Sequence, residues 1–280
     1  MNHLETNYIF FGTPEFAKVI LEKLVEDGFP PRALVCNPDR LKGRRRILTS
    51  PPTKLLISNY RPRIDVLQPE NLDGDFFAKI KTFGVSFAIL AAYGKILPKK
   101  LIDIFPRGIV GVHPSLLPKY RGATPIQSAL LNGDKKTGTS LFLLDKTVDH
   151  GLILAQKSLV VYGDETRLDL EKRLAELSAF LLVDTLPKWL SGKITPEKQK
   201  EAGATYTKKI TTEDGFVDLE KDDPEIIYRK IKALNPEPGV FTYVEKDNRK
   251  IRLKILEVEF LGNKIILKRA QEEGGKIKDF

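Results

Sequence analysis

Short apolar segments alternate with helical segments over the first two-thirds of the chain, and this pattern restricts the fold more than any other feature. The predicted strands are continuous apolar runs, namely Tyr8–Phe11, Ala33–Cys36, Val85–Ala91, Ile109–Val112 and Ser140–Leu144. The predicted helices are Pro14–Glu26, Pro52–Ser58, Asp75–Thr82, Pro125–Leu131 and Leu168–Leu186. Strands that are apolar on both faces need cover on both sides. The alternation therefore predicts an α/β fold, with a parallel sheet between two layers of helices.

The pattern changes near residue 190. Pro187 is predicted to kink or end the last long helix, and the polar stretch that follows is typical of a linker. Farther on, the sequence "NPEPG" ends a short predicted helix, because prolines and glycine do not continue one. The strand-like segments after it are Val240–Val244, Ile251–Val258 and Lys264–Lys268. We therefore predict a first domain at 1–190, a linker at 191–205 and a small, mostly β domain at 206–280.

Composition excludes several classes of protein. With 280 residues, 41% hydrophobic and 30% charged, the chain has the makeup of a soluble globular protein that can bury a full core. No apolar run reaches the roughly 18 residues that a membrane-spanning helix needs. The single cysteine, Cys36, excludes a disulfide framework and a cysteine-rich metal site, and we interpret it as a core residue. These features predict a cytoplasmic protein.

The net charge of +9 is concentrated in one part of the chain. The segment Arg32–Arg63 holds nine basic residues and one acid, Asp39, whereas residues 201–280 hold 16 basic and 16 acidic residues. Clustered Lys and Arg attract phosphates, so the segment is a candidate nucleic-acid contact. A solvated loop that carries charge for solubility is the alternative, and composition alone leaves it open.

One histidine occupies a position where parallel sheets bind ligands. The predicted strand Ile109–Val112 runs directly into His113, which therefore emerges at the carboxyl edge of the sheet. Pro114 restricts the backbone of His113 to extended conformations and so fixes the origin of its imidazole. A purely structural role is common for an isolated histidine, and the residues alone leave both interpretations open.

Two carboxylates follow the next predicted strand, in the sequence "DKTVDHG". They are Asp145 and Asp149, and both are expected near the same edge as His113. A carboxylate beside His113 would hold its tautomer and favour the imidazolium, which donates a hydrogen bond to an oxyanion. Either aspartate could instead be an ordinary turn residue.

Several common catalytic motifs are missing. The first strand ends in "FGTPEFA", a tight turn into a helix that lacks the G-x-G-x-x-G glycines, so a dinucleotide cofactor is disfavoured. The sequence has no G-x-S-x-G nucleophile elbow, no Walker loop and no zinc-ligand spacing.

Other motifs resemble a known family. "FFGTPEFA", "NPDRLKGRRR", "AAYGKILP", "HPSLLPKYRGATPIQ" and "TVDHG" occur in the order typical of methionyl-tRNA formyltransferases, and "TYTKKI" and "IKALNPEPG" resemble the C-terminal domain of that family. The resemblance implies a Rossmann-like, doubly wound parallel sheet followed by a small OB-like β-barrel. It also implies transfer of a formyl group from formyltetrahydrofolate to the amino group of methionyl initiator tRNA, by a protein that needs no metal and acts as a monomer.

The resemblance assigns roles to individual residues. His113 would donate to the formyl oxygen, and Asp149 would orient and charge the histidine. The segment that would line the folate site comprises Ser115, Leu116, Leu117 and Pro118, with Tyr93 and Gly94 in a loop nearby. The basic loop that would grip the tRNA contains Lys42, Arg44, Arg45 and Arg46. No covalent intermediate is needed, which agrees with the lack of an activated Ser or Cys.

One position departs from the family pattern. The family motif reads N-x-H, and its asparagine donates to the formyl oxygen, whereas this chain has Gly111 two residues before His113. Loss of one such donor lowers turnover on the order of 100- to 1,000-fold. An engineered or mutated protein, a natural variant with a substitute donor and an inactive relative all remain open. A formyltransferase for a small amine, such as a nucleotide precursor or an amino sugar, and an impaired folate- or tRNA-binding relative are the alternative functions.

Overall fold

The computed structural model describes residues 7–43, 46–246 and 248–280. The strands are β1 Tyr8–Gly12, β2 Ala33–Val35, β3 Arg40–Lys42, β4 Ile47–Thr49, β5 Asp65–Leu67, β6 Phe87–Ala91, β7 Ile109–His113, β8 Arg121–Gly122, β9 Lys136–Leu143, β10 Ile153–Val160, β11 Tyr206–Thr207, β12 Val240–Lys246, β13 Arg249–Leu261, β14 Lys264–Glu272 and β15 Ile277–Asp279. The α-helices are α1 Glu15–Glu26, α2 Pro52–Ile57, α3 Gly74–Lys81, α4 Lys99–Ile102, α5 Pro125–Leu131, α6 Arg167–Leu190 and α7 Pro224–Leu234.

A seven-stranded sheet with the order β10-β9-β7-β6-β1-β2-β5 forms the centre of the N-terminal part. The pairs β1–β2, β1–β6, β2–β5 and β6–β7 are parallel, as predicted. The pair β7–β9 is antiparallel, with Gly111 opposite Phe142, so the sheet is mixed. An apolar run that is buried on both faces predicts a strand but not its direction, and the wholly parallel sheet was therefore wrong at this edge.

The core forms because β1 is buried along its whole length and α1 covers it with one apolar face. The residues of α1 that are buried lie three to four positions apart, as an amphipathic helix requires: Phe16, Ala17, Ile20, Leu21 and Leu24. Gly12 ends β1 where the backbone and α1 approach closely. A Cβ at Gly12 would lie 2.7 Å from that of Ala17 and 2.9 Å from the carbonyl oxygen of Ala91, so only glycine fits.

Strand order reverses between β1 and β6. From β1 the chain builds β2 and β5 on one side, and it then crosses to the other side to build β6 and β7. Ligands of open α/β sheets bind beyond the carboxyl ends of the strands at such a point. A binding site is therefore expected among the residues that follow β1, β2, β6 and β7.

The sequence predicted that Pro187 would kink or end the last long helix, and helix α6 does not end there. It continues to Leu190 with the proline inside its last turn. Only one turn follows the proline, so few backbone hydrogen bonds depend on it. Trp189 packs edge-on against Phe87, with ring centroids 5.5 Å apart, and this tertiary contact holds the last turn in place.

The chain forms two compact units. One contains the described residues of Met1–Arg121, Gly138–Leu159 and Glu171–Thr205, and the other contains those of Gly122–Thr137, Val160–Leu170 and Tyr206–Phe280. The predicted linker lies within the first unit, where Glu197 forms an antiparallel bridge with Ile153. The domain bounds given above stay a prediction.

In the second unit, β12, β13, β14 and β15 form a four-stranded antiparallel sheet. Phe216 adds a parallel bridge to Phe241, and α7 contacts the sheet with its buried residues Ile227, Ile231 and Leu234. Helix α7 starts at an N-cap, Asp223, and ends before the "NPEPG" sequence, as predicted. The fold class is confirmed: a Rossmann-like α/β part is followed by a small β-rich module that is consistent with an OB-like fold.

Among the residues that the structure describes, no helix is both long enough and apolar enough to cross a membrane.

Candidate functional site

His113 is the last residue of β7 and lies at the carboxyl edge of the sheet. The residue is buried, with 6% of its surface exposed. Its backbone carbonyl accepts hydrogen bonds from the Ser115 amide at 2.9 Å and from Thr139 Oγ1 at 3.3 Å. These bonds fix the backbone from which the imidazole projects.

Both ring nitrogens of His113 face oxygen atoms. Nε2 lies 2.8 Å from the carbonyl oxygen of Tyr120, and since a carbonyl only accepts, Nε2 carries a proton and donates it. Nδ1 lies 3.6 Å from Asp149 Oδ2. The Asp149 carboxylate therefore faces the second ring nitrogen and orients the imidazole.

Of the two predicted aspartates, only Asp149 is paired with His113. Asp145 accepts hydrogen bonds from His150 Nδ1 at 2.6 Å and from the Thr147 amide at 2.7 Å, so it organises the loop itself. Asp149 has a positive φ of +49°, a conformation that costs free energy for a residue other than glycine. The loop therefore holds Asp149 in a strained position, with its carboxylate toward the histidine.

The segment 115–118 has a tightly held backbone. Ser140 Oγ donates to the Ser115 carbonyl at 2.6 Å and accepts from the Leu117 amide at 2.9 Å. Gln156 Nε2 donates to the Leu117 carbonyl at 2.8 Å. Ser115 and Leu117 are buried, whereas Leu116 and Pro118 remain partly exposed. Two apolar side chains on a fixed backbone suit the face of a flat ring system such as that of a folate.

Tyr93 and Gly94 follow β6. The Tyr93 side chain is 1% exposed and packs edge-on against Phe11, so it belongs to the core, and contact with a ligand would have to come from its backbone. Gly94 has a φ of +80° and is exposed. It lines a cavity of about 510 Å³ that also contacts Thr13, Asn37, Arg40, Ser50 and Lys95. This cavity lies beyond the ends of β1, β2 and β6, where strand order reverses.

The basic loop includes an antiparallel hairpin of β3 and β4, which the sequence pattern did not predict. Arg44 and Arg45 at its tip lie outside the described residues, as does the side chain of Lys42. Arg46 is exposed and has a φ of +49°. The hairpin also exposes the apolar residues Leu41, Ile47 and Leu48. Strands β3 and β4 thus form a short, regular two-stranded stem.

Asp39 anchors the base of this hairpin. Its carboxylate accepts hydrogen bonds from Gln68 Nε2 and Lys54 Nζ at 2.8 Å and from Ser50 Oγ at 2.9 Å. These bonds, that from Gln68 most, lower the pKa of Asp39 to about 2. The single acid of the basic segment thus has a structural role.

Comparisons with known proteins identify the family of the chain. Residues 6–186 match the formyl transferase family, and residues 209–279 match the formyl transferase C-terminal domain. The methionyl-tRNA formyltransferase of Caldanaerobacter subterraneus subsp. tengcongensis is 40% identical over 91% of this chain and 82% of its own length. That of Halorhodospira halophila is 42% identical over 82% of this chain and 74% of its own length. The chain belongs to the formyl transferase family. The solved structure of methionyl-tRNA formyltransferase from Clostridium thermocellum shares the fold, with a TM-score of 0.63 at 21% identity, covering 98% of this chain and 99% of that one.

In this formyl transferase, Gly111 faces a filled space. A Cβ at Gly111 would lie 2.5 Å from Phe142 Cε1 and 2.7 Å from Leu144 Cδ1. Phe142 is 3% exposed, so its ring has little room to withdraw. Phe142 and Leu144 therefore fill the space beside Gly111, and a side chain at this position would require them to move.

Sequence reasoning missed three polar residues of this formyl transferase that lie near Asp149. They are Arg121, Gln199 and Glu201, which join the loop of Asp149 to the segment after α6. Arg121 could have been suspected, because it follows the "SLLPKY" motif directly. Gln199 and Glu201 gave no signal, since they lie in a polar stretch of linker-like composition. No group of three or more potential metal ligands occurs among the described residues.

Proposed function

We propose that the protein transfers the formyl group of formyltetrahydrofolate to the α-amino group of methionyl initiator tRNA. The observation that carries the proposal is the pairing of His113 with Asp149 at the sheet edge, in a chain whose relatives over most of its length are methionyl-tRNA formyltransferases. The basic hairpin supports an RNA acceptor, because a small amine would not need it.

The reaction needs little from the protein beyond positioning and charge. The amine forms a bond to the formyl carbon, and the carbonyl oxygen becomes negative. As the oxygen becomes negative, the Nε2–H group of His113, which bonds the Tyr120 carbonyl in the free protein, donates to that oxygen instead. The attacking amine gives up one proton and the folate nitrogen gains one as its bond to carbon breaks, so no further reactant is required. The Asp149 carboxylate faces Nδ1 and orients the ring during the reaction.

The folate would rest on Leu116 and Pro118, with Gly94 near it. Ser115 and Leu117 support this segment through their buried side chains and bonded backbone, and Tyr93 would contribute only through its backbone. Lys42, Arg44, Arg45 and Arg46 would contact the phosphates of the tRNA.

The test is formylation of charged initiator tRNA by the purified protein, with formyltetrahydrofolate as donor and release of N-formylmethionine as the readout. A matched reaction with amino sugars and with a nucleotide-precursor amine tests the small-amine alternative. We expect formylmethionine only. Faster formylation of a small amine would overturn the proposal.

A specific observation also favours a second candidate, a relative that binds folate and tRNA but turns over slowly. Gly111 provides no donor, and Phe142 fills the space beside it. Retained binding of both substrates by calorimetry, with no formylated product, would identify this function.

We also propose that the protein acts in the cytoplasm as a monomer. Cys36 is buried and unpaired, as is common in a reducing compartment. Cell fractionation and sedimentation equilibrium measure the two properties directly.

A further inference from the structure

Gln199 holds the loop that carries Asp149. Its Nε2 donates to the carbonyl oxygens of Asp149 and Gly151, each at 2.9 Å. The two carbonyls lie on either side of His150, so one side-chain amide fixes the turn at two points. The two N–H groups of the amide match these two bonds.

Arg121 sets the orientation of that amide. Its Nη2 and Nε donate to Gln199 Oε1 at 2.7 Å and 3.1 Å. A guanidinium only donates, so the amide oxygen must face it and the amide nitrogen must face the loop. A flipped amide would turn its NH₂ group toward the guanidinium and its oxygen toward two carbonyls. Arg121 therefore makes one of the two amide orientations strongly favourable.

Glu201 balances the charge of Arg121. The Arg121 side chain is fully buried, and a buried guanidinium needs an anion. Glu201 accepts two hydrogen bonds from it, at 2.6 Å and 3.0 Å, through its two carboxylate oxygens. The bonds from Arg121 lower the pKa of Glu201, so the pair stays ionised at neutral pH.

The same short stretch also holds His113. Tyr120, which precedes Arg121, accepts the Nε2 proton of His113 through its carbonyl. The amides of Tyr120 and Arg121 donate to Oγ1 and to the carbonyl of Thr205, at 2.8 Å and 2.9 Å. One dipeptide thus fixes the histidine through its backbone and the aspartate loop through its arginine.

The loop needs such support because its conformation is strained. Asp149 has a left-handed backbone, which persists only where the surroundings enforce it. Gly151 adds a steric limit, since a Cβ there would collide with the carbonyl of Leu143. The separation of 3.6 Å between His113 Nδ1 and Asp149 Oδ2 depends on this turn.

We propose that Gln199 is a positioning residue for the His113–Asp149 pair, oriented by Arg121 and Glu201. The proposal rests on the formyl transfer proposed above for its kinetic readout. Residues 199–205 have the composition of a linker, but they then form a brace, by which we mean a segment that holds the catalytic pair in position.

The decisive variant is Gln199→Met, which keeps the length of the side chain and removes its donors. We expect kcat for formyl transfer to fall on the order of 10- to 100-fold, with KM for both substrates within about twofold, because misplacement near 1 Å costs this much. The His113 ring signals in NMR spectra are expected to move. The control is Asn7→Leu, which removes an amide donor to the Gly84 carbonyl and is expected to change neither readout.

A second variant, Glu201→Gln, protects the test against misfolding, because Glu201 is exposed. It should also lower kcat, but by a smaller factor than Gln199→Met does. Unchanged kcat and unchanged His113 signals in Gln199→Met would overturn the proposal, as would a loss confined to KM. If the unaltered protein does not formylate methionyl-tRNA, the proposed function fails, whereas the NMR comparison of the variants still decides whether the brace positions His113.

Discussion

The ring of Phe142 lies directly across from Gly111 on the neighbouring antiparallel strand, within 2.5 Å of where a Cβ at residue 111 would stand. Because Gly111 has no side chain, the Phe142 ring occupies the space beside it. A side chain at residue 111 would therefore require the Phe142 ring to move.

The variant Gly111→Asn alone is consequently expected to damage the protein. Overpacking of a filled core costs about 1–3 kcal/mol in the free energy of unfolding, and the new side chain would be pushed off the geometry of a donor. Denaturant unfolding should show the loss of stability, and the formylation assay should show no gain in kcat.

Removal of the Phe142 ring should change the effect of Gly111→Asn. In Phe142→Ala the ring is gone, and the double variant Gly111→Asn/Phe142→Ala has space for the amide. We expect kcat of the double variant to exceed that of Phe142→Ala by about tenfold or more, because a recovered oxyanion donor contributes at least that much. Full rescue by Gly111→Asn alone, at unchanged stability, would show that Phe142 does not block the site.

His113→Ala is expected to abolish formyl transfer, because it removes the Nε2–H donor to the developing oxyanion. Asp149→Asn keeps the size of the side chain and should lower kcat by a factor on the order of 100. Rapid-quench measurement of the formylated product separates this loss from any change in substrate binding. Full activity in His113→Ala would remove the proposed mechanism.

Much of the site could be predicted because it follows from strand ends. The apolar run of β7 predicts its direction into His113. The position of Asp149 does not follow from a shared carboxyl edge, because β9 is antiparallel and its carboxyl end lies beside the amino end of β7, so the loop after β9 brings Asp149 to His113. The brace could not be predicted, since Arg121 and Gln199 are 78 residues apart and no periodic pattern relates them. The antiparallel direction of β9 could not be predicted either, because strand pairing depends on contacts between separate segments of the chain.

Local sequence also misled where tertiary contacts decide the outcome. Pro187 predicts a kink or the end of a helix, and α6 continues past it to Leu190, where Trp189 packs on Phe87. The basic segment looked like a loop because charged side chains hide the short alternation of β3 and β4. Polar composition around Gln199 suggested a linker, although its side chain is bonded on both sides.

The hairpin tip should control binding of tRNA. Reversal of charge in Arg44→Glu/Arg45→Glu is expected to weaken binding of methionyl-tRNA on the order of tenfold at low salt and to flatten its salt dependence, because fewer counterions are released. Filter binding across a salt series measures both effects. Lys81→Glu/Lys100→Glu, on exposed positions of α3 and α4, changes the net charge equally and serves as the control. Equal weakening by both pairs would indicate a general charge effect.

Asp39 predicts a pH dependence. Hydrogen bonds from Gln68 and Lys54 lower its pKa from an ordinary value of 3.8 to about 2, so the unfolded chain takes up the proton first as pH falls. The stabilisation from Asp39 is therefore complete above pH 3.8 and is lost as pH falls toward 2. The difference in stability between the wild type and Asp39→Asn should shrink over that interval in urea unfolding. A constant difference would contradict the assigned network.

Cys36 should be inert in the folded protein. Burial raises the pKa of its thiol to about 11, although Lys54 opposes the shift, so almost none of it is thiolate at neutral pH. A disulfide reagent is expected to label Cys36 fully in guanidinium chloride and only very slowly under native conditions, at the rate at which the core around β2 opens. Rapid and complete labelling of the native protein at neutral pH would mean that Cys36 is accessible and that this side of the sheet is not closed. Gradual acceleration as pH rises toward 11 would instead agree with a buried thiol that loses its proton late.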